Sequence, residues 1–309
     1  LSLLPITIIE NSMSLNKPVL KLRDWVDVKS LDWERFSLNP NAIDFLSKHK
    51  KKIVWSHLSV NPEAIELLKA NPKKIVWSQL SLNPNAIELL KTKPKKIHWR
   101  NLCENPNGSQ ILKHHPDKIQ WDYFSVHSND INFLRENLDK VVWSQLSANP
   151  HAIELLEENP DMIDYYSLSL NPNGIELLKK NPLRINWFRV SENPNAISLL
   201  MENPSKINWS MLSANDNPEA IRILEKQKDK IDWFHLSYNP NAIELLKENK
   251  DKIIYYNFSY NSAIFELDYE AMRKNNEEMY EDLIKEVMKP SRVFKERGYD
   301  YLEVLFGDD

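Results

Sequence analysis

A cation recurs at one spacing through most of the chain: Lys52, Lys74, Lys96, Lys118, Lys140, Arg184, Lys206, Lys230 and Lys252, interrupted at Met162. Positive charges at a fixed pitch have the chemistry to neutralise successive phosphates of a nucleic acid. An acidic row accompanies them, through Asp44, Glu66, Glu88, Glu154, Glu176 and Glu244. Repetition copies any solvent-facing charge into such a row. The net charge of −4 also provides no global field toward polyanions. Nucleic-acid binding along the lysine rail is therefore the alternative reading of function.

A second set of residues combines aromatic rings with Arg and His. Tyr166, Phe188 with Arg189, Phe234 with His235, and Tyr256 occupy the two positions after a recurring tryptophan slot in the C-terminal half. Earlier copies hold small polar groups there, such as Ser56-His57 and Ser78-Gln79. Aromatics and Arg are the types that concentrate binding energy at protein interfaces. These six residues form the candidate partner-binding site, and Tyr238 and Tyr260 follow close in sequence.

Catalytic chemistry has no comparable pattern. The eight histidines show no ligand spacing, and there is no HExxH, no paired-cysteine motif and no glycine-rich phosphate loop. A serine column (Ser37, Ser59, Ser81, Ser125, Ser147 and onward) gives way once to Cys103 and has no repeating histidine beside it. Cys fits a small buried slot, so this column reads as structural. No enzymatic activity, metal or cofactor is expected. One cysteine excludes an internal disulfide and suits a reducing, intracellular compartment. No apolar run approaches the roughly 18–20 residues that span a bilayer, so no membrane partner is expected.

All of these residues hang on a repeat. Trp33, Trp55, Trp77, Trp99, Trp121 and Trp143 stand 22 residues apart, Tyr165 fills the next position, and Trp187 and Trp209 follow. After a two-residue slip come Trp233 and Tyr255. Eleven copies at one period predict a solenoid, in which each repeat packs on its neighbours. The repeats are numbered 1 to 11 from these aromatics.

Each repeat reads as a short capped helix plus a short α or 3-10 segment, and the whole as a mainly α solenoid. Asn is a preferred N-cap and Pro a preferred first helical residue. The prolines from Pro40 to Pro240 fall in two columns, as helix starters would. Ala86, Ile87, Leu89 and Leu90 then place one apolar stripe on the following helix. The Ile-x-Trp-x-x-Leu half predicts an extended entry and one or two helical turns. The alternative is a leucine-rich-repeat-like α/β solenoid with a strand at Ile-x-Trp. The Trp column, with Ile and Leu beside it, is expected to be core.

Residues 1–32 read as an N-terminal leader and cap, 33–262 as the solenoid, and 263–309 as a C-terminal helical cap or docking tail. Met13 is a candidate translation start within the leader. The C-terminal segment combines a charged amphipathic helix over residues 266–288 with a second apolar set in residues 293–306. Asn215-Asp216 insert two residues, and His127 to Asp130 depart from the consensus.

Leu22-Arg-Asp-Trp25, Leu31-Asp-Trp33 and the repeated Leu-Ser-x-Asn-Pro-Asn-Ala-Ile-Glu-Leu-Leu resemble tandem-repeat proteins of giant DNA viruses of algae and protists. The likeness covers residues 22 to about 262, and Met288-Lys-Pro-Ser-Arg-Val293 is similar to endings in that group. The resemblance implies a repeat architecture and a setting in host cytoplasm or virion. It transfers no activity and no site residue. The expected function is a non-enzymatic scaffold that binds a protein partner.

Overall fold

The structure, a computed structural model, describes residues 18–287. The leader over residues 1–17 and the apolar set in residues 293–306 lie outside the described residues. The described residues form two bodies, residues 22–265 and residues 18–21 with 266–287.

The body of residues 22–265 is built from short helices, as the repeat predicts. In repeat 3 the α-helix Trp77–Leu80 is followed by a 3-10 turn Pro84–Ala86, an α-helix Ile87–Lys91 and a second 3-10 turn Pro94–Lys96. Asn83 caps the first turn by accepting from Asn85 N at 2.9 Å. Helices of four to six residues have no stability alone, so stacking between repeats must hold them.

The leucine-rich-repeat alternative does not occur. Ile75 and Val76 are extended (ψ 123° and 95°), but two residues later the chain is helical again. The Val76 N–H, which a strand would offer to a neighbouring strand, is taken by Ser59 Oγ at 3.1 Å. Among the described residues the only strands are β1 (Leu20–Leu22) and β2 (Phe265–Leu267), which pair in one two-stranded sheet.

Three side-chain ladders join repeat to repeat. Each column serine donates to the carbonyl of its own Trp or Tyr, as Ser59 Oγ does to Trp55 O at 2.7 Å, and accepts the N–H before the next aromatic. Cys103 keeps the accepting role for Gln120 N at 3.3 Å and turns its thiol to Lys118 O at 3.6 Å. The ladder asparagines donate to the preceding repeat, all but Asn193 twice: Asn83 Nδ2 reaches Ser59 O at 3.2 Å and Asn61 O at 2.7 Å. A third column adds bonds such as Asn85 Nδ2 to Pro62 O at 3.0 Å. Buried carbonyls need such partners because water cannot reach them.

The ladders close on themselves. Asn39 in repeat 1 donates to Ser259 O and Asn261 O in repeat 11, at 3.3 and 3.0 Å. Asp32 N donates to Ser259 Oγ at 2.8 Å, and Asn41 Nδ2 to Ser262 O at 3.0 Å. These are the bonds that repeat 3 makes to repeat 2, so eleven repeats form a closed ring. Phe36 and Phe265 (5.8 Å between centroids) and Trp25 and Phe258 (5.7 Å) pack across the seam.

The irregular repeats do not interrupt the ring. In repeat 5 the helix Trp121–His127 runs through the asparagine slot and Ser128, one residue later, takes the capping role, accepting from Asp130 N at 3.1 Å; Asn149 still reaches Ser125 O and Ser128 O, at 2.9 and 2.8 Å. In repeat 9 Asn215 is the ladder residue, reaching Ser191 O and Asn193 O at 3.0 and 2.9 Å, so the two added residues lie beyond the Asn215-Asp216 pair that the sequence suggested; Asn239 still reaches Ser213 O and Asn215 O, at 3.1 and 2.8 Å.

The tryptophans are less central than expected. Each is only half-buried, whereas Leu58, Leu80, Leu102 and Phe124, three residues after the aromatic, are fully buried, as are Leu46, Leu68 and Leu90 in the second helix. A fully buried Leu contributes about 1.5–3 kcal/mol, so the leucine columns form the core. The indoles shield it and lend their faces to cations.

In the other body a helix runs over Tyr269–Val287. Asp268 caps it, accepting from Ala271 N at 3.0 Å. Tyr269 and Ile284 are exposed on it.

Candidate interaction surfaces

The residue after the Trp slot is the second residue of each short helix. In repeats 7, 8, 10 and 11 it is Tyr166, Phe188, Phe234 and Tyr256, exposed by 55, 54, 51 and 46 %. Ser210 holds the slot in repeat 9. The sequence-predicted aromatics therefore form an arc over five successive repeats with one gap.

Two of the rings are held by arginines. Arg189 Nη2 donates to the Tyr166 hydroxyl at 2.8 Å, and its guanidinium lies 4.2 Å from the ring centroid. Arg35 makes the same pair with Tyr256 across the seam, at 2.6 and 4.4 Å. Arg100 and Tyr123 form a third, at 2.6 and 4.6 Å. A guanidinium over a ring face adds cation–π attraction to the hydrogen bond and fixes the ring's orientation. Arg189 Nε is buried without a hydrogen-bond partner, a donor left unused beside Tyr166. Phe188 and Phe234 carry no such clamp; the nearest ring to Phe234 is His235, edge-on at 5.4 Å.

His235 sits with Ser210 and Asp232, two residues that the sequence pattern did not single out. The Asp232 carboxylate accepts from Ser210 Oγ, and its Oδ2 lies 3.0 Å from His235 Nδ1. Ser210 Oγ is also 3.0 Å from Nδ1. A hydrolytic relay needs the serine on one ring nitrogen and the carboxylate on the other. Here both compete for the same nitrogen. Burial works to raise the Asp232 pKa, but hydrogen bonds from Ser210 and His235 outweigh it and hold the carboxyl below its usual range. Asp232 also caps its helix through Phe234 N and His235 N, at 3.0 and 3.2 Å.

A cavity of about 360 Å³ is lined from five successive repeats by Glu192, Asp216, Tyr238, Pro240, Tyr260 and Pro40. Asp216, in the slot that is Pro in most repeats, thus lines this cavity. Burial, with the charges of Glu192, Asp216 and Asp232, pushes the Tyr238 phenol up to about 12. Burial alone raises the Asp216 carboxyl.

No family model, curated protein or solved structure matches this chain.

The lysine rail follows the ring from repeat 1 to repeat 10, and most of its cations have local partners. Lys52, Lys140 and Arg184 lie over Trp33, Trp121 and Tyr165, at 5.4, 5.8 and 4.9 Å from the centroids. Lys118, Lys230 and Lys252 pair with the acid just before them, at 2.9, 3.6 and 3.5 Å. Among the described residues no three His, Cys, Asp or Glu side chains converge as metal ligands. No described helix is long and apolar enough to cross a membrane.

Proposed function

We propose that the ring is a non-enzymatic scaffold whose protein partner seats on the aromatic arc of repeats 7 to 11. The observation that carries this reading is the exposure of Tyr166, Phe188, Phe234 and Tyr256 at one equivalent position. Exposed rings flanked by Arg are the usual anchors of a protein interface. The Arg35 and Arg189 clamps lower the entropy lost on binding by holding two rings in place beforehand. Ser210, Asp232 and His235 meeting on one nitrogen supports the non-enzymatic part of the reading. The likeness of the repeat to giant-virus proteins supports a role inside an infected cell or virion.

Phe188→Ser with Phe234→Ser tests the arc. Serine is the native residue at that slot in repeats 2, 3, 6 and 9, so the double variant keeps the fold and removes the two unclamped rings. An affinity pull-down from infected-cell lysate, treated with nuclease, should retain a protein on the natural chain and lose it on the variant. The purified protein should then rebind the natural chain alone. Equal retention by both chains, or recovery of nucleic acid only in an untreated lysate, overturns the reading.

A further inference from the structure

We propose that repeats 1 to 3 carry a second binding surface, a lysine-paved arc that takes the phosphate backbone of a nucleic-acid duplex. The proposal is independent of the aromatic arc. Its starting point is the slot just before the rail. That slot holds Lys51, Lys73 and Lys95 in repeats 1 to 3, and Asp117, Asp139 and Asp161 in repeats 4 to 6. Leu183 and Ser205 follow, then Asp229 and Asp251. The rail is doubled on three successive repeats and neutralised on most of the others.

The doubling has local structural consequences. The lysines stand on the exposed 3-10 turns Lys50–Lys52, Pro72–Lys74 and Pro94–Lys96. Where an Asp occupies the slot it can engage the rail lysine, as Asp117 does Lys118 and Asp251 does Lys252. In repeats 1 to 3 that pairing cannot form. Among the described residues Lys51, Lys73, Lys74, Lys95 and Lys96 have no acid or ring beside them. Residues 44–98 contain eleven lysines against four acids, so this stretch carries +7 in a chain whose net charge is −4.

The chemistry favours a duplex over other polyanions. No large hydrophobic side chain is exposed in repeats 1 to 3; Tyr, Phe, Met and Leu exposure begins at Met162. Single-stranded nucleic acid is held by aromatic stacking platforms, and peripheral membrane binding by an apolar face that enters the bilayer. Neither is present on this arc. Point charges repeated at one pitch match a polymer with one charge per phosphate, read without regard to base sequence.

The test is fluorescence anisotropy with a labelled 20-base-pair DNA duplex at low and moderate salt. The natural chain should bind, with affinity falling steeply as salt rises. Lys51→Asp with Lys73→Asp and Lys95→Asp copies the residue native to repeats 4 to 6 and should weaken binding by at least 30-fold at about 50 mM salt. Asp117→Lys with Asp139→Lys extends the arc and should tighten binding several-fold. A natural chain that leaves the duplex free at 100 μM, or equal affinity of the natural chain and the two variants, overturns the proposal. So does binding confined to vesicles containing phosphatidylserine.

Discussion

Asn39 donates both of its amide hydrogens to repeat 11, at Ser259 O and Asn261 O, as Asn61 does to Ser37 O and Asn39 O. The first ladder residue is thus as buried as any interior one. Asn39→Ala removes the partner of two buried carbonyls and the cap for Asn41 N, and should cost about 2–4 kcal/mol. Asn171→Ala, mid-ring, should cost a similar amount in urea unfolding. In an open solenoid the terminal substitution would be nearly neutral, so a loss below ~1 kcal/mol for Asn39→Ala alone argues against closure.

Gly174 and Gly108 occupy a slot that is Ala in most repeats, yet they should respond differently to Ala. A Cβ at Gly174 meets Leu168 Cδ1 at 2.7 Å, with Leu168 Cγ and the Leu168 carbonyl oxygen each at 3.0 Å, contacts that a small shift relieves. A Cβ at Gly108 meets the Leu102 carbonyl oxygen at 2.2 Å, and backbone cannot swing aside. Gly174→Ala should stay within about 1 kcal/mol of the natural chain, because reduced unfolded-state entropy offsets the shift of Leu168. Gly108→Ala should lose about 2–3 kcal/mol, as overpacking does. Thermal melts of the two variants would separate them; equal stabilities would contradict the packing given for repeat 4.

Cys103 is fully buried, and burial raises its thiol pKa. The thiol should not react with Ellman's reagent at pH 8 in the native ring, and should react fully in guanidinium. Cys103→Ser restores the column and should match or exceed the natural stability by up to ~1 kcal/mol. Cys103→Ala leaves Gln120 N without its acceptor and should cost about 1–2 kcal/mol.

Tyr238 provides a pH test of the cavity that it lines. Its phenol is raised from 10.0 to about 12 in the folded chain. The unfolded chain therefore ionises first as pH passes 10, and this contribution to stability is lost progressively between about pH 10 and 12. Two units correspond to at most ~2.7 kcal/mol, and the ring's partial exposure reduces this to about 1 kcal/mol. Tyr238→Phe should match the natural chain at pH 8 in urea unfolding and lose less stability by pH 11. Parallel losses would place the phenol in ordinary solvent.

Much of the repeat was legible in residue types because its information is local. Asn-Pro sets a cap and a helix start, and Ala-Ile-x-Leu-Leu sets an apolar face, within a few residues of one another. The ladders of Ser59 and Asn83 were legible as structural columns for the same reason. Closure was not, because it depends on a small rotation per repeat summed over eleven, and no single residue encodes it. The half-burial of Trp77 was also hidden: an indole beside Ile and Leu looks like core until Leu80 is seen to lie deeper. In the candidate site, Tyr166 and Arg189 were legible as variable-slot residues. Their pairing, and that of Arg35 with Tyr256, required knowing which slots meet across repeats. The charge reversal from Lys95 to Asp117 was visible in the sequence, one column from the rail.

Because repeat 1 rests on repeat 11, the number of repeats is not free to drift. An open array can gain or lose a whole repeat and still present one face at each end. Here a tandem duplication or deletion would leave Asn39 facing the wrong partner, or none, and both faces of the seam would meet water. Length variation is thereby diverted into loops such as the one that leads into the helix Pro218–Glu225, where two added residues leave the circle shut. Divergence in this lineage should accordingly appear as substitutions in slots and lengthened loops at constant repeat count, unlike the variable copy number usual for tandem arrays.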